Sequence, residues 1–251
     1  MAELRWMTAF LDLPARTFDA GTAFWRAVTG SGISSPRGEH DEFMTLVPRD
    51  GDPYLKVQRI ADGPGGIHLD LHTDDMPALV GHANDCGAEG RLRVGDYTAM
   101  TSPGGFPFRV VTHPAGRSLP SPVPWWGGSS IADQVCIDMP GRLHEAETEF
   151  WARLTGWKHT GGRFPEFSNL ERPAGQPLRL LLQRLDSDDG PVRAHLDLSS
   201  ADRVAEVIRH RSLDAELVRE TGNWTVLRDP AGLEYCVTDQ DPVTGELPPV
   251  R

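Results

Sequence analysis

Cysteine is scarce in this chain. Of 251 residues three are cysteines, Cys86, Cys136 and Cys236, and no two of them form a Cys-x-x-Cys pair. An odd number without such spacing speaks against a disulfide framework and against a finger-type zinc site, and predicts reduced thiols. Long apolar runs are missing too: nothing approaches the roughly 20 residues that a membrane helix needs. The opening MAELRWMTAFLDLPAR has no basic segment followed by an apolar one. No signal peptide and no membrane partner are therefore expected, and the expected location is the cytoplasm. Clustered lysine and arginine are lacking, and net charge is −11, with 25 basic against 36 acidic residues. A phosphate backbone is bound by clustered positive charge, so no nucleic-acid partner is expected. Several catalytic signatures are absent: GxSxG, the phosphate loop GxxxxGK[ST], HExxH, and GxGxxG following a strand. The glycine-rich Gly63-Pro-Gly-Gly precedes a strand pattern rather than a helix, and no nucleotide cofactor is expected.

What the chain does contain is a repeat. Val192–Asp202 reads VRAHLDLSSAD, and Gly66–Asp75 reads GIHLDLHTDD, which places His68 and His195 127 residues apart. AFLDLP at Ala9–Pro14 matches VCIDMP at Val135–Pro140, and AFWRAVTG at Ala23–Gly30 matches EFWARLTG at Glu149–Gly156. YLKVQRI at Tyr54–Ile60 resembles LRLLLQRL at Leu178–Leu185, and SPGGFPFRVVT at Ser102–Thr112 matches DPAGLEYCVTD at Asp229–Asp239. Matches in one order at a near-constant offset point to duplication.

Each half carries the same pattern. A short apolar strand (Met7–Leu13; Ala132–Met139) leads to a helix (about Phe18–Val28; about Leu143–Leu154). The helix has a Phe-Trp pair and a Leu or Val at helical spacing, and it stops at Thr-Gly. Two strands follow (Glu42–Pro48 and Tyr54–Ile60; Glu166–Arg172 and Leu178–Leu185), then the His strand. A second helix comes next (about Asp75–Cys86; about Ala201–Leu213), with Asp202 at its start. Closing strands are expected at Gly95–Met100 and Phe106–Thr112 in the first half. In the second they are expected at Ala215–Glu220, Trp224–Arg228 and Leu233–Thr238. Ser102-Pro-Gly-Gly and Asp229-Pro-Ala-Gly are turn signals between closing strands. The halves read as domains 1–118 and 131–241, with a Pro/Gly/Trp linker at 119–130 and a Pro-rich, irregular tail at 242–251. Trp125 and Trp126 in the linker have two readings, packing onto a domain surface or covering a cleft mouth or an oligomer interface. The chain is expected to be a monomer or a homodimer.

On strands, side chains alternate between faces. His195 and Asp197 share one face and Leu196 and Leu198 the other. Tyr235, Val237, Val135 and Ile137 read as core against the helices, and Gln58 and Gln183 fall near the inner face. One reading of the HLDL segments is a polar sheet face on which Asp70 and Asp197 hold histidines or cap loops.

The FW…TG helix, the HLDL strand and the closing DPAGLEYCV strand together resemble the vicinal oxygen chelate superfamily, and its glyoxalase-like domains in particular. That superfamily includes glyoxalase I, extradiol dioxygenases, fosfomycin-resistance enzymes and bleomycin-binding proteins. The resemblance covers nearly the whole chain, twice. It implies an α+β fold of two tandem domains, each of paired βαβββ modules forming a curled mixed sheet around a cavity. It also implies one divalent metal (Zn, Mn or Fe) held by side chains from the opening, middle and closing strands. Carried onto this sequence, the ligand positions are Gln134, His195 and a closing-strand residue. The family's glutamate position holds Cys236, and Glu234 lies two residues earlier on the same face, so Glu234 is a candidate ligand or general base. In the first half the equivalents are Thr8, His68 and Arg109, with Pro107 in place of Glu234, and a guanidinium beside His68 repels a cation. Arg109, with His68, and Cys236 in the second half, are candidate substrate contacts; the other reading of Arg109 is a surface or ion-paired arginine. The implied function is a lyase, isomerase or dioxygenase acting on a small oxygenated metabolite. The alternative is a metal-free, bleomycin-resistance-like protein that binds a small molecule.

Overall fold

The computed structural model describes residues 3–61, 63–112, 116 and 118–249. The chain forms β1 (Trp6–Pro14), α1 (Phe18–Val28), β2 (Gly32–Ile33), β3 (Phe43–Val47), β4 (Leu55–Ile60), β5 (Gly66–Thr73), α2 (Met76–Asp85), β6 (Glu89–Val94), β7 (Tyr97–Thr101) and β8 (Pro107–Thr112). It continues with β9 (Val123–Trp125), β10 (Gly128–Met139), α3 (His144–Thr155), β11 (His159–Gly161), β12 (Phe167–Leu170), β13 (Arg179–Arg184), β14 (Arg193–Ser200), α4 (Arg203–Arg211), β15 (Glu216–Glu220), β16 (Trp224–Arg228) and β17 (Glu234–Thr238).

The strands form two mixed sheets of the same order. One runs β2-β3-β4-β1-β5-β8-β7-β6 and the other β11-β12-β13-β10-β14-β17-β16-β15, with β9 paired to β10. In each, the His strand runs parallel to the closing strand (β5 with β8, β14 with β17). Each half is therefore a pair of βαβββ modules in one open sheet. Among the described residues, no helix is long and apolar enough to cross a membrane.

The expected helix ends are in place. The hydroxyls of Thr29 and Thr155 donate to the Trp25 and Trp151 carbonyls at 2.7 Å. Gly30 (φ 60°) and Gly156 (φ 68°) follow in the left-handed region, where a side chain is disfavoured. Asp75 and Asp202 cap α2 and α4, accepting from the backbone N–H of Ala78 and Ala205 at 3.0 Å. Strands β2, β6, β9 and β11 lie beyond the sequence expectation.

Packing divides the chain into two compact units that cross the sequence halves. One takes residues 1–10, 67–118 and 135–194; the other takes 11–66, 119–134 and 195–251. In the first unit, Trp151 and Phe150 of α3 pack on Phe106 and Phe108, with Trp151 ring centroids 5.8 and 5.7 Å from the two phenylalanines. In the second, Trp25 and Phe24 of α1 pack on Tyr235 of β17 at 5.1 and 5.8 Å.

Both tryptophans are fully buried and their indole N–H groups need acceptors. Trp25 donates to Asp229 of the closing turn at 2.7 Å. The equivalent turn residue in the other unit is Ser102, and Trp151 donates instead to Glu147, one turn back on its own helix, at 3.0 Å. Glu147 also accepts from the Gly104 backbone N–H. Its counterpart on α1 is Gly21, where a Cβ would stand 2.8 Å from the Ala231 Cβ and 3.0 Å from Leu13. One copy thus supplies the carboxylate from the turn and the other from the helix. Glu147→Ala leaves the Trp151 and Gly104 N–H groups buried without their acceptor. At about 1–3 kcal/mol for a buried unsatisfied group, an unfolding free energy lower by about 2–3 kcal/mol is expected in a urea titration.

Candidate functional site

Three strands of the second half build the site. β14 directs His195, Asp197 and Ser199 to one face, while Leu196 and Leu198 on the other are 0% and 1% exposed. β17 runs parallel beside it with Asp197 opposite Cys236, which brings the thiol to the carboxylate's face. β10 contributes Gln134 and Asp133: Gln134 Nε2 donates to Asp197 Oδ2 at 2.6 Å, and Ser199 Oγ donates to Asp133 at 2.8 Å. Val135, Ile137, Tyr235 and Val237, read as core from the alternation, are completely buried.

The result is a compact donor cluster. One imidazole nitrogen of His195, one carboxylate oxygen of Asp197 and Sγ of Cys236 all lie within 4.8 Å of one another. Asp197 is 3% exposed, and its Oδ1 accepts no hydrogen bond among the described residues. His195 Nε2 lies 3.3 Å from that oxygen, longer than the 2.7–2.9 Å of a charge-assisted hydrogen bond. Burial pushes the Cys236 thiol up to about 11, against the opposing pull of His195, so the sulfur carries its proton at neutral pH.

Donor chemistry and geometry fit a small divalent ion. An imidazole, a carboxylate and a thiol that can lose its proton to become a thiolate are a metal-ligand set, and the buried Asp197 Oδ1 accepts no hydrogen bond among the described residues. Ligands at about 2.0–2.3 Å from one tetrahedral ion stand roughly 3.3–3.7 Å apart, which matches the His195–Asp197 separation.

Not every expected residue joins. Glu234, the candidate ligand or base, is half exposed at the start of β17 and pairs with Arg228 at 2.9 Å across the β16–β17 hairpin. The carboxylate inside the cluster is Asp197, which on one reading of the sequence holds a histidine or caps a loop. Its spacing two residues from His195 was the available signal, since i and i+2 on a strand share a face.

The first-half face is built differently. Arg109 donates from Nε to Asp70 at 2.5 Å, with its guanidinium carbon 4.3 Å from the centroid of Phe10 and 5.1 Å from that of Tyr97. His68 stacks on Phe10 with centroids 4.6 Å apart, and Thr8 is bonded to His72 Nε2 at 3.0 Å. Pro107 is exposed. Arg109 is thus ion-paired with the buried Asp70. In the linker, Trp125 donates to Ser130 at 2.9 Å and lies under the Arg209 guanidinium at 3.8 Å. Trp126 occupies the turn between β9 and β10 and is fully exposed.

Comparison with known proteins follows the duplication. The sequence matches the family profile for a glyoxalase-like domain twice, over residues 8–111 and 134–238. No curated relative matches it. Among solved structures, the chain is similar to the Mn(II)-bound glyoxalase from Novosphingobium aromaticivorans. The TM-score is 0.63 at 19% identity, covering 99% of this chain and 87% of that one. It is also similar to a 4-hydroxymandelate synthase variant from Streptomyces coelicolor (0.60, 14%, 97% and 94%). A third is a homoprotocatechuate 2,3-dioxygenase variant from Brevibacterium fuscum (0.61, 15%, 97% and 73%). At these identities the likeness is one of fold.

Proposed function

The chain belongs to the glyoxalase-like domain family, in two tandem copies, and on that footing we propose that it is an enzyme acting on a small oxygenated metabolite, by lyase, isomerase or dioxygenase chemistry, at the second-half face. The observation that carries this reading is the convergence of the His195, Asp197 and Cys236 donors beside Gln134. His195 would hold a divalent ion there, with its neighbours completing the set. Such an ion supplies Lewis-acid polarisation of vicinal substrate oxygens. The chain's own groups prepare the face. Gln134 anchors Asp197 through Oδ2, which leaves Oδ1 aimed at the imidazole. The Cys236 thiol, protonated at neutral pH, is no general base in the metal-free protein.

A second reading draws on the first-half face. Arg109, oriented by Asp70 and flanked by Phe10 and Tyr97, would bind a small anionic ligand without metal, as in a sequestering protein. Turnover in a screen of glyoxalase, isomerase and ring-cleavage substrates separates the two. The enzyme reading predicts product that a chelator abolishes and that His195→Ala does not form. Ligand binding indifferent to chelator, with no turnover on any class, would favour the second.

A further inference from the structure

The duplication provides an internal control for the site. Asp70 and Asp197 hold the same place on their strands, and each is the parallel register partner of a closing-strand residue: Asp70 of Arg109, Asp197 of Cys236. Each also follows a histidine by two residues, His68 and His195. In the first half the carboxylate grips a cation supplied by the chain, the Arg109 guanidinium at 2.5 Å. In the second half the arginine's position is a thiol, and the matching carboxylate oxygen, Asp197 Oδ1, is buried, accepts no hydrogen bond among the described residues and faces His195 Nε2 at 3.3 Å.

We infer that the second-half face takes an exchangeable divalent cation where the first half carries a tethered one, with His195, Asp197 and Cys236 as its ligands and zinc-type ions preferred to manganese. This rests on the metal-dependent reading above and refines it in two respects. First, the carboxylate ligand comes from the middle strand, Asp197, rather than from the closing strand, where Cys236 stands in the glutamate position and Glu234 is engaged with Arg228. Second, a sulfur donor shifts the preference. Thiolate is a soft ligand suited to zinc, and imidazole suits zinc as well, whereas carboxylate, carbonyl and water oxygens suit manganese. Binding transfers the thiol proton to solvent and leaves Cys236 as thiolate on the ion. The His195–Asp197 separation, 3.3 Å, already lies in the roughly 3.3–3.7 Å range of two ligands on one tetrahedral ion, and the Cys236 sulfur lies within 4.8 Å of both donors.

The test is titration of the full, metal-stripped chain with cobalt(II), read by absorption, followed by competition. The expected result is one cobalt per chain with a thiolate-to-cobalt charge-transfer band, displaced by stoichiometric zinc but not by manganese at about 100-fold excess. Cys236→Ser is expected to remove the band, and Asp197→Asn to weaken cobalt binding by more than about 100-fold, beyond what loss of a merely supporting partner costs. Arg109→Cys, which leaves His68 and Asp70 in place, is expected to bind a second cobalt and to gain thermal stability on adding zinc. Cobalt bound without a thiolate band, or unchanged in Asp197→Asn, overturns the ligand assignment and leaves the metal-dependent reading standing. Failure of folded Arg109→Cys to take a second ion overturns the equivalence of the two faces. A folded wild-type chain that binds neither cobalt, zinc nor manganese overturns both the inference and the reading beneath it.

Discussion

Arg109→Ala is expected to lower the unfolding free energy by about 3–5 kcal/mol, the usual cost of leaving one member of a buried ion pair behind. Asp70 is 4% exposed and the Arg109 side chain 13%, so water does not readily replace the guanidinium. Arg109 also covers Phe10 and meets Tyr97, and the substitution removes that contact along with the charge. The measurement is the urea midpoint at unchanged slope. Combining Arg109→Ala with Asp70→Ala is expected to recover part of the loss, because the uncompensated charge disappears. A single-variant loss below about 1 kcal/mol, the range of surface pairs, would mean that the carboxylate does not depend on its cation. It would also remove the analogy on which the second-half ligand set is built.

Glu206→Ala is expected to cost about as much, 3–5 kcal/mol by the same rule, for a different network. Glu206 lies on α4 and is 4% exposed. It accepts from Ser130 at 2.5 Å, from Arg209 at 2.8 and 2.7 Å, and from His210 Nε2 at 3.1 Å. His210 Nε2 lies 3.1 Å from both the Glu206 carboxylate and Arg209 Nη2, and Nδ1 lies 2.9 Å from the Tyr235 hydroxyl. Arg209 reaches on to the Ala27 and Val28 carbonyls at the end of α1, so the network also satisfies orphan carbonyls of that helix. Burial works against ionisation of Glu206, but hydrogen bonds from Arg209 and His210 outweigh it and hold the group down to about 2. A folded value below the ordinary 4.5 gives stability that is present above the ordinary range and lost as pH falls through the folded value. Burial lowers His210 as well, which adds loss in the same acid direction. Wild type is therefore expected to lose stability steeply from about pH 4.5 toward pH 2, and Glu206→Gln to show a shallower acid slope from a lower starting stability. Equal slopes in the two proteins would contradict this assignment.

Much of the fold was readable in the sequence because it was written twice. The FW helices, the HLDL strands and the DPAG and SPGG turns carry their own periodicity or turn chemistry. Their constant offset then aligns one half with the other. The short strands β2 and β11 and the arginine-rich β6 carry too little pattern to stand out: Gly32–Ile33 has two residues, and the glutamate, glycine and arginines of Glu89–Val94 hide its alternation. The partition into compact units was also hidden. It depends on Trp25 meeting Tyr235 and Trp151 meeting Phe106, contacts between residues more than 40 positions apart.

At the site, facing was legible and register was not. Alternation put His195 and Asp197 on one face, and Cys236 with Glu234 on another strand's face. Only the cross-strand pairing of Asp197 with Cys236, and of Glu234 with Arg228, decides which carboxylate enters the cluster. Register is set by the sheet as a whole. The Arg228–Glu234 hairpin pair was the readable part, since the two flank one short turn with opposite charges.

Elemental analysis of untagged protein, wild type beside His195→Ala, tests the central claim most directly. The account predicts about one divalent ion per wild-type chain, zinc-type where several are offered, and none in the variant at unchanged fold. Wild-type chain without metal after dialysis against zinc, manganese and iron(II) would contradict it, as would a His195→Ala variant that keeps its ion.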